Sequence, residues 1–186
     1  MNNENPTRTE MVLDLRRAVI RTVHDAEALY AKVLRGAERT AAWLHGFTGS
    51  PLELLTALRF DTVGHDPLTG EPLNVIEQLN QTFTILVSLR AVERLIEMHP
   101  ETKGFRLALA TSSGRDIESV ELGLVAAEVF SATHPGSNQK LKKDIERLTS
   151  DPARHRYVFF AAPNYASGRQ SELETVPGIE VHCVQL

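Results

Sequence analysis

One acidic residue stands where an acid is costly. Glu128 lies in Leu124-Val125-Ala126-Ala127-Glu128-Val129-Phe130-Ser131, a run with no other charge. A carboxylate buried in such a run must be paired, protonated or bound to a cation. Asp116 precedes it with eleven residues between, a separation that a hairpin can fold back so that both side chains meet at one edge of a sheet. Two converging carboxylates offer a hard divalent cation the oxygen ligands it prefers, and water on such a cation can attack a phosphodiester. Other chemistries are poorly served. The histidines at 24, 45, 65, 99, 134, 155 and 182 have no HExxH or HxH spacing, so a histidine-built zinc site is not expected. Cys183 is the single cysteine, with neither a disulfide nor a CxxC partner, and reads as a small core residue. Ser112, Ser113 and Gly114 belong to no phosphate-binding glycine motif, and no GxSxG elbow occurs.

The flanking pattern says which elements would carry these acids. From Thr9 to about His45 apolar residues recur at helical spacing, as one long helix or two stacked ones, with Arg16, Arg17, Arg21, Lys32, Arg35 and Arg39 on the other faces. A short helix from Leu52 to Leu58 and a turn-rich loop from Arg59 to Pro72 follow. A second long helix is expected over Asn74 to His99, ending at Pro100. Near its start, Asn74, Gln78, Asn80 and Gln81 gather amides around Glu77, a composition suited to a polar cleft. After Gly104 the period changes from 3.6 to 2. Strands are expected at Phe105–Ala110, Asp116–Leu122 and from Gly123 to about Ser131, with a turn at Thr111–Arg115. A helix from Asn138 to about Thr149, with Ser137 as its N-cap, then precedes strands at Tyr157–Ala162 and Ile179–Val184. On that helix Lys140, Lys143 and Arg147 share one face, and Leu141, Ile145 and Leu148 the other. Tyr165, Arg169 and Gln170 read as a surface loop.

Asp116-Ile117-Glu118 on one strand, Glu128-Val129-Phe130 on the next, a helix bearing Gln139, Lys140, Lys142 and Lys143, and an earlier helix with Glu77 near its start together resemble the core of the PD-(D/E)XK nuclease superfamily. The resemblance covers roughly residues 74 to 186. It implies that Asp116 and Glu128 hold Mg²⁺, that Glu77 adds a helix-borne acid, and that a lysine two positions after Glu128 activates water and stabilises developing charge. That position is Phe130, on the same strand face as Glu128, and phenylalanine cannot do this work. The superfamily also carries the lysine on the following helix, which implies Lys140, placed against the helix dipole in the first turn. Asn138, Gln139, Lys142, Lys143 and Arg147 are then the expected nucleic-acid contacts.

The fold expected is α/β, restriction-endonuclease-like: a mixed sheet of about five strands flanked by helices in a core over 61–186, with an N-terminal helical region over 1–60. That region packs on the core or builds a homodimer. The 186 residues carry a net charge of −4 with 42% hydrophobic and 24% charged residues, which excludes disorder and a wholly basic nucleic-acid binder. The segment Asn138–Arg156 nevertheless holds six Lys/Arg against three Asp/Glu, a local basic patch. With no apolar span of membrane length and no signal-like apolar start, a cytoplasmic location is expected. The leading expectation is a Mg²⁺-dependent DNA endonuclease. Its rivals are an inactive nuclease-like module that binds DNA or a partner subunit, and a small-molecule-binding α/β protein whose pocket is lined by Asn74, Gln78 and Gln81.

Overall fold

The computed structural model describes residues 18–108 and 114–186. The first part of the expected N-terminal helical stretch, 9–17, the end of the first expected strand at 109–110 and most of the following turn lie outside the described residues. Four helices are described: α1 (Val23–Gly46), α2 (Pro51–Phe60), α3 (Val75–Met98) and α4 (Lys140–Thr149). Nine strands accompany them: β1 (Val19–Ile20), β2 (Gly64–His65), β3 (Pro72–Leu73), β4 (Phe105–Leu107), β5 (Ile117–Ser119), β6 (Val125–Ser131), β7 (His155–Ala161), β8 (Gly168–Arg169) and β9 (Ile179–Cys183). Seven of these form one mixed sheet in the order β1-β4-β5-β6-β7-β9-β8, and β2 pairs with β3 as a separate hairpin. The expectation of about five strands missed β1 and β8, two-residue strands that close the two rims.

Local chemistry sets the helix boundaries. Thr22 and Asp25 form a reciprocal capping box at the start of α1, with the Thr22 hydroxyl accepting from the Asp25 N–H and the Asp25 carboxylate accepting from the Thr22 N–H. The cap stops the helix there, so Val19 and Ile20, expected to be helical, pair instead with Arg106 and Phe105. Gly104 makes this junction possible. Its φ is +123°, and a Cβ would stand 2.5 Å from the Ile20 carbonyl oxygen. Ser50 with Glu53 caps α2, and Asn74 caps α3 through the Glu77 N–H.

The meander β4-β5-β6 is antiparallel, whereas β6, β7 and β9 run parallel. A parallel pair needs a crossover, which α4 supplies between β6 and β7. The sheet is buried on both faces. Val125, Ala127 and Val129 of β6 meet Leu89, Val92 and Leu95 of α3 together with Ala26 and Val33 of α1. Ala126 and Phe130 point the other way, with Val158 and Phe160 of β7, onto Ile145 and Leu148 of α4. This two-sided covering explains why β6 reads as a continuous apolar run. Cys183 is buried in the second cluster, as expected. Among the described residues no helix is long and apolar enough to cross a membrane.

Candidate active site

The antiparallel ladder places the two acids. Ile117 pairs with Ala127 and Glu118 with Ala126, so one step further along the register Asp116 stands opposite Glu128. Strand alternation puts Asp116, on the opposite side of the chain from Ile117, on the α4 face with Glu128. Opposed residues on one face have Cβ atoms about 5 Å apart, close enough for two carboxyl groups to interact. The meeting point is in the middle of the sheet, between its third and fourth strands, and not at the sheet edge expected from the sequence.

Asp116 is fixed from several sides. Its carboxylate accepts from the Val129 N–H at 2.9 Å, and its carbonyl accepts from the Ala108 N–H at 2.9 Å. Next to it, Arg115 bonds Asp151 and lies 3.3 Å from Glu118, which ties the start of β5 to the segment after α4. Glu128 is only 2% exposed. Burial first, then the neighbouring Asp116 charge, push its carboxyl up to about 8 against the pull of Arg147.

A third acid, unremarked in the sequence, completes the cluster. Asp144 of α4 is fully buried and accepts from the Lys140 ammonium at 2.7 Å and from Arg147. Burial raises its carboxyl, while Lys140 and Arg147 act in the opposite direction. Lys140 four residues before Asp144 is the less favourable order for a helical ion pair, and the Lys140 charge in the first turn also opposes the helix dipole. The pairing therefore owes its geometry to what lies beneath the helix. Arg147 reaches down to Glu128, with Nη1 at 2.9 Å from Oε2. The contact is ionic without hydrogen-bond alignment, so Glu128 Oε2 has no donor, and neither has Asp144 Oδ2. Three carboxyls thus face two contacting cations, an excess of negative charge that a proton or a further cation would neutralise.

Beyond this cluster opens a cleft of about 800 Å³, bounded by Leu79, Asn80, Phe83 and Thr84 of α3, by Asp116 and the end of β6, and by Lys140 and Lys143 with the loop before α4. It lies outside the carboxyl ends of the parallel strands, where helices from opposite faces of the sheet part, the usual ligand position in open α/β sheets.

Several expected site residues go elsewhere. Glu77 is exposed in the first turn of α3 and is not part of the cleft wall. Gln78, expected beside it in a polar cleft, is spent on the fold: its side-chain oxygen accepts from Thr40 and from the His65 N–H, and its amide donates to the Gly36 carbonyl. Asn74 is the α3 cap, so of the amide stripe only Asn80 faces the cleft. Lys142 is exposed and 3.9 Å from Glu146, and Arg147 serves the buried acids. Asn138 lines the cleft, and both Asn138 and Gln139 adopt left-handed conformations with φ of 53° and 56°. The helix consequently starts at Lys140, and the Ser137 cap is replaced by a single 3₁₀ turn, Ser137–Gln139. Phe130 is a core residue stacked on Phe160 with ring centroids 5.7 Å apart. Among the described residues no group of three histidine, cysteine or acidic side chains has the arrangement of a ready-made metal site. Of the residues expected in a surface loop, Tyr165 packs on Phe160, Arg169 belongs to β8 and is paired with Glu174 and Glu180, and Gln170 is buried.

No family model matches the chain, and no curated protein or solved structure is significantly similar to it.

Proposed function

We propose that the protein is a divalent-cation-dependent nuclease of the PD-(D/E)XK type, acting on DNA, in which the lysine's task has passed from strand β6 to helix α4. The observation that carries this is the pairing of Asp116 with Glu128 across the β5–β6 ladder, beside a cleft that Lys140 enters from the next helix. Also in favour is the order of elements: a long helix, an antiparallel meander of three strands, a crossover helix and a parallel strand, as in the restriction-endonuclease-like core.

Asp116 and Glu128 offer the hard oxygens that Mg²⁺ prefers, Glu128 Oε2 lacks a donor, and once Glu128 loses its proton the three acids outnumber the two cations that touch them. A cation held by these two acids would acidify bound water and offset charge on the phosphate. For this Glu128 must lose its proton and Arg147 must turn outward, which its half-exposed side chain can do. Asp144 keeps Lys140 at the cleft, where its ammonium counters the negative charge that develops on the reacting phosphate. Lys143 presents a second positive charge to a neighbouring phosphate. A homodimer remains part of the proposal, with the exposed Leu52, Leu55 and Phe60 of α2 available to it.

The expected outcome is Mg²⁺- or Mn²⁺-dependent cleavage of DNA that falls by orders of magnitude in Asp116→Asn and in Lys140→Met. Unchanged cleavage in Asp116→Asn would eliminate the mechanism. The second reading, a nuclease-like module without catalysis, draws on the burial of Phe130 and on Arg147 already occupying Glu128. Isothermal titration with Mn²⁺ separates the two, since the inactive module has no binding that depends on both acids.

A further inference from the structure

A second cavity adjoins the cleft. It is an open depression of about 540 Å³, walled chiefly by Phe83, Ala132, Ala161, Ala162, Pro163 and Val184. Phe83, Ser131, Ala132 and Thr133 line both spaces, so the two form one continuous trough along the carboxyl ends of β6, β7 and β9. The trough is chemically graded. One end has Asp116, Lys140 and Lys143, and the other is apolar apart from Ser131, Thr133 and Gln185. Phe83 stands at the junction and is 43% exposed, an aromatic ring left largely open on a helix whose inner face is fully packed. Lys143 has no carboxylate partner among the described residues.

A molecule that matches this gradient needs an anionic part and, one unit away, a flat apolar part with a polar rim. We propose that the apolar cavity receives an unstacked nucleobase of a single-stranded nucleic acid, with Phe83 as its stacking face and the strand's phosphates running toward Lys140 and Lys143. This deepens the nuclease proposal and rests on it. Duplex bases are stacked on their neighbours and cannot enter such a cavity unless extruded, whereas every base of a single strand offers a free π-face. The few polar groups at the rim suit the edge of a base, and the apolar walls suit its faces.

The test is fluorescence anisotropy of the full chain in EDTA, which prevents cleavage, with three probes of one length: a single-stranded oligonucleotide, its duplex, and the same strand with abasic sites throughout. The normal single strand is expected to bind best. Phe83→Ala should weaken it about tenfold or more without changing the duplex value, and Phe83→Trp should restore it. Matching thermal melts of the variants ensure that the loss is local. Three results would overturn the inference and leave the nuclease proposal standing: equal binding of normal and abasic strands, no effect of Phe83→Ala, or a free mononucleotide competing as well as the strand. Failure of all three probes to bind, together with no metal-dependent cleavage, would remove both.

Discussion

At the scale of single residues, the site is governed by where one proton sits. The Glu128 carboxyl is held at about 8 against an ordinary 4.5. A carboxyl raised in this way binds its proton more tightly in the folded chain than in the unfolded one. Its contribution to stability is therefore complete below pH 4.5 and is lost as the pH rises through about 8. In EDTA, the melting temperature of the wild type relative to Glu128→Gln should fall steadily between about pH 5 and pH 9, as followed by circular dichroism. A flat difference would mean that Glu128 is ionised throughout. Asp144 adds to the upward push on Glu128 and competes for Arg147. Asp144→Asn should therefore lower the Glu128 titration midpoint, read by carbon NMR of the side-chain carboxyl, while freeing Lys140 and reducing cleavage. Glu128 was legible in the sequence because an acid in an apolar strand is conspicuous, and Asp116 because it lies one hairpin's length before it. Asp144 was not, because Lys140, Asp144 and Arg147 at helical spacing look like any solvated helix face until the sheet is seen beneath them.

At the scale of elements, α3 is the structural pillar and α2 contributes little. Leu95 of α3 is fully buried in the main cluster, whereas Leu55 of α2 is 64% exposed. Leu95→Ala should cost about 2–5 kcal/mol in urea denaturation, and Leu55→Ala at low protein concentration within about 0.5 kcal/mol. A larger cost for Leu55→Ala that grows with concentration would locate self-association at α2. The order of the long elements followed from their patterns, since the 24 residues of α3 repeat at helical spacing and the seven of β6 form an apolar run of strand length. The two-residue strands β1 and β8 have no period to read; only the finished sheet gives them partners. The late start of α4 was hidden for another reason. Asn138 and Gln139 both have positive φ, which two consecutive non-glycine residues rarely adopt, so the Ser137 cap suggested by the sequence lost to a backbone arrangement with no sequence signature.

At the scale of the whole molecule, charge is organised locally. A chain of net charge −4 repels polyanions at long range, so any nucleic acid must be held by the few cations at the cleft. If Lys140 and Lys143 supply the contacts, the logarithm of single-strand affinity should fall with the logarithm of salt concentration at a slope of about −1.4, following the release of about two counterions. A slope several times steeper would require a basic surface other than this cleft.

The rims of the large sheet carry a different consequence. Each is finished by a strand of two residues, Val19–Ile20 on one side and Gly168–Arg169 on the other. Long open borders are what let sheet proteins recruit copies of themselves into fibrils. Here a newcomer would find almost no template, which favours recovery from denaturant at high concentration without loss to amyloid-like deposits.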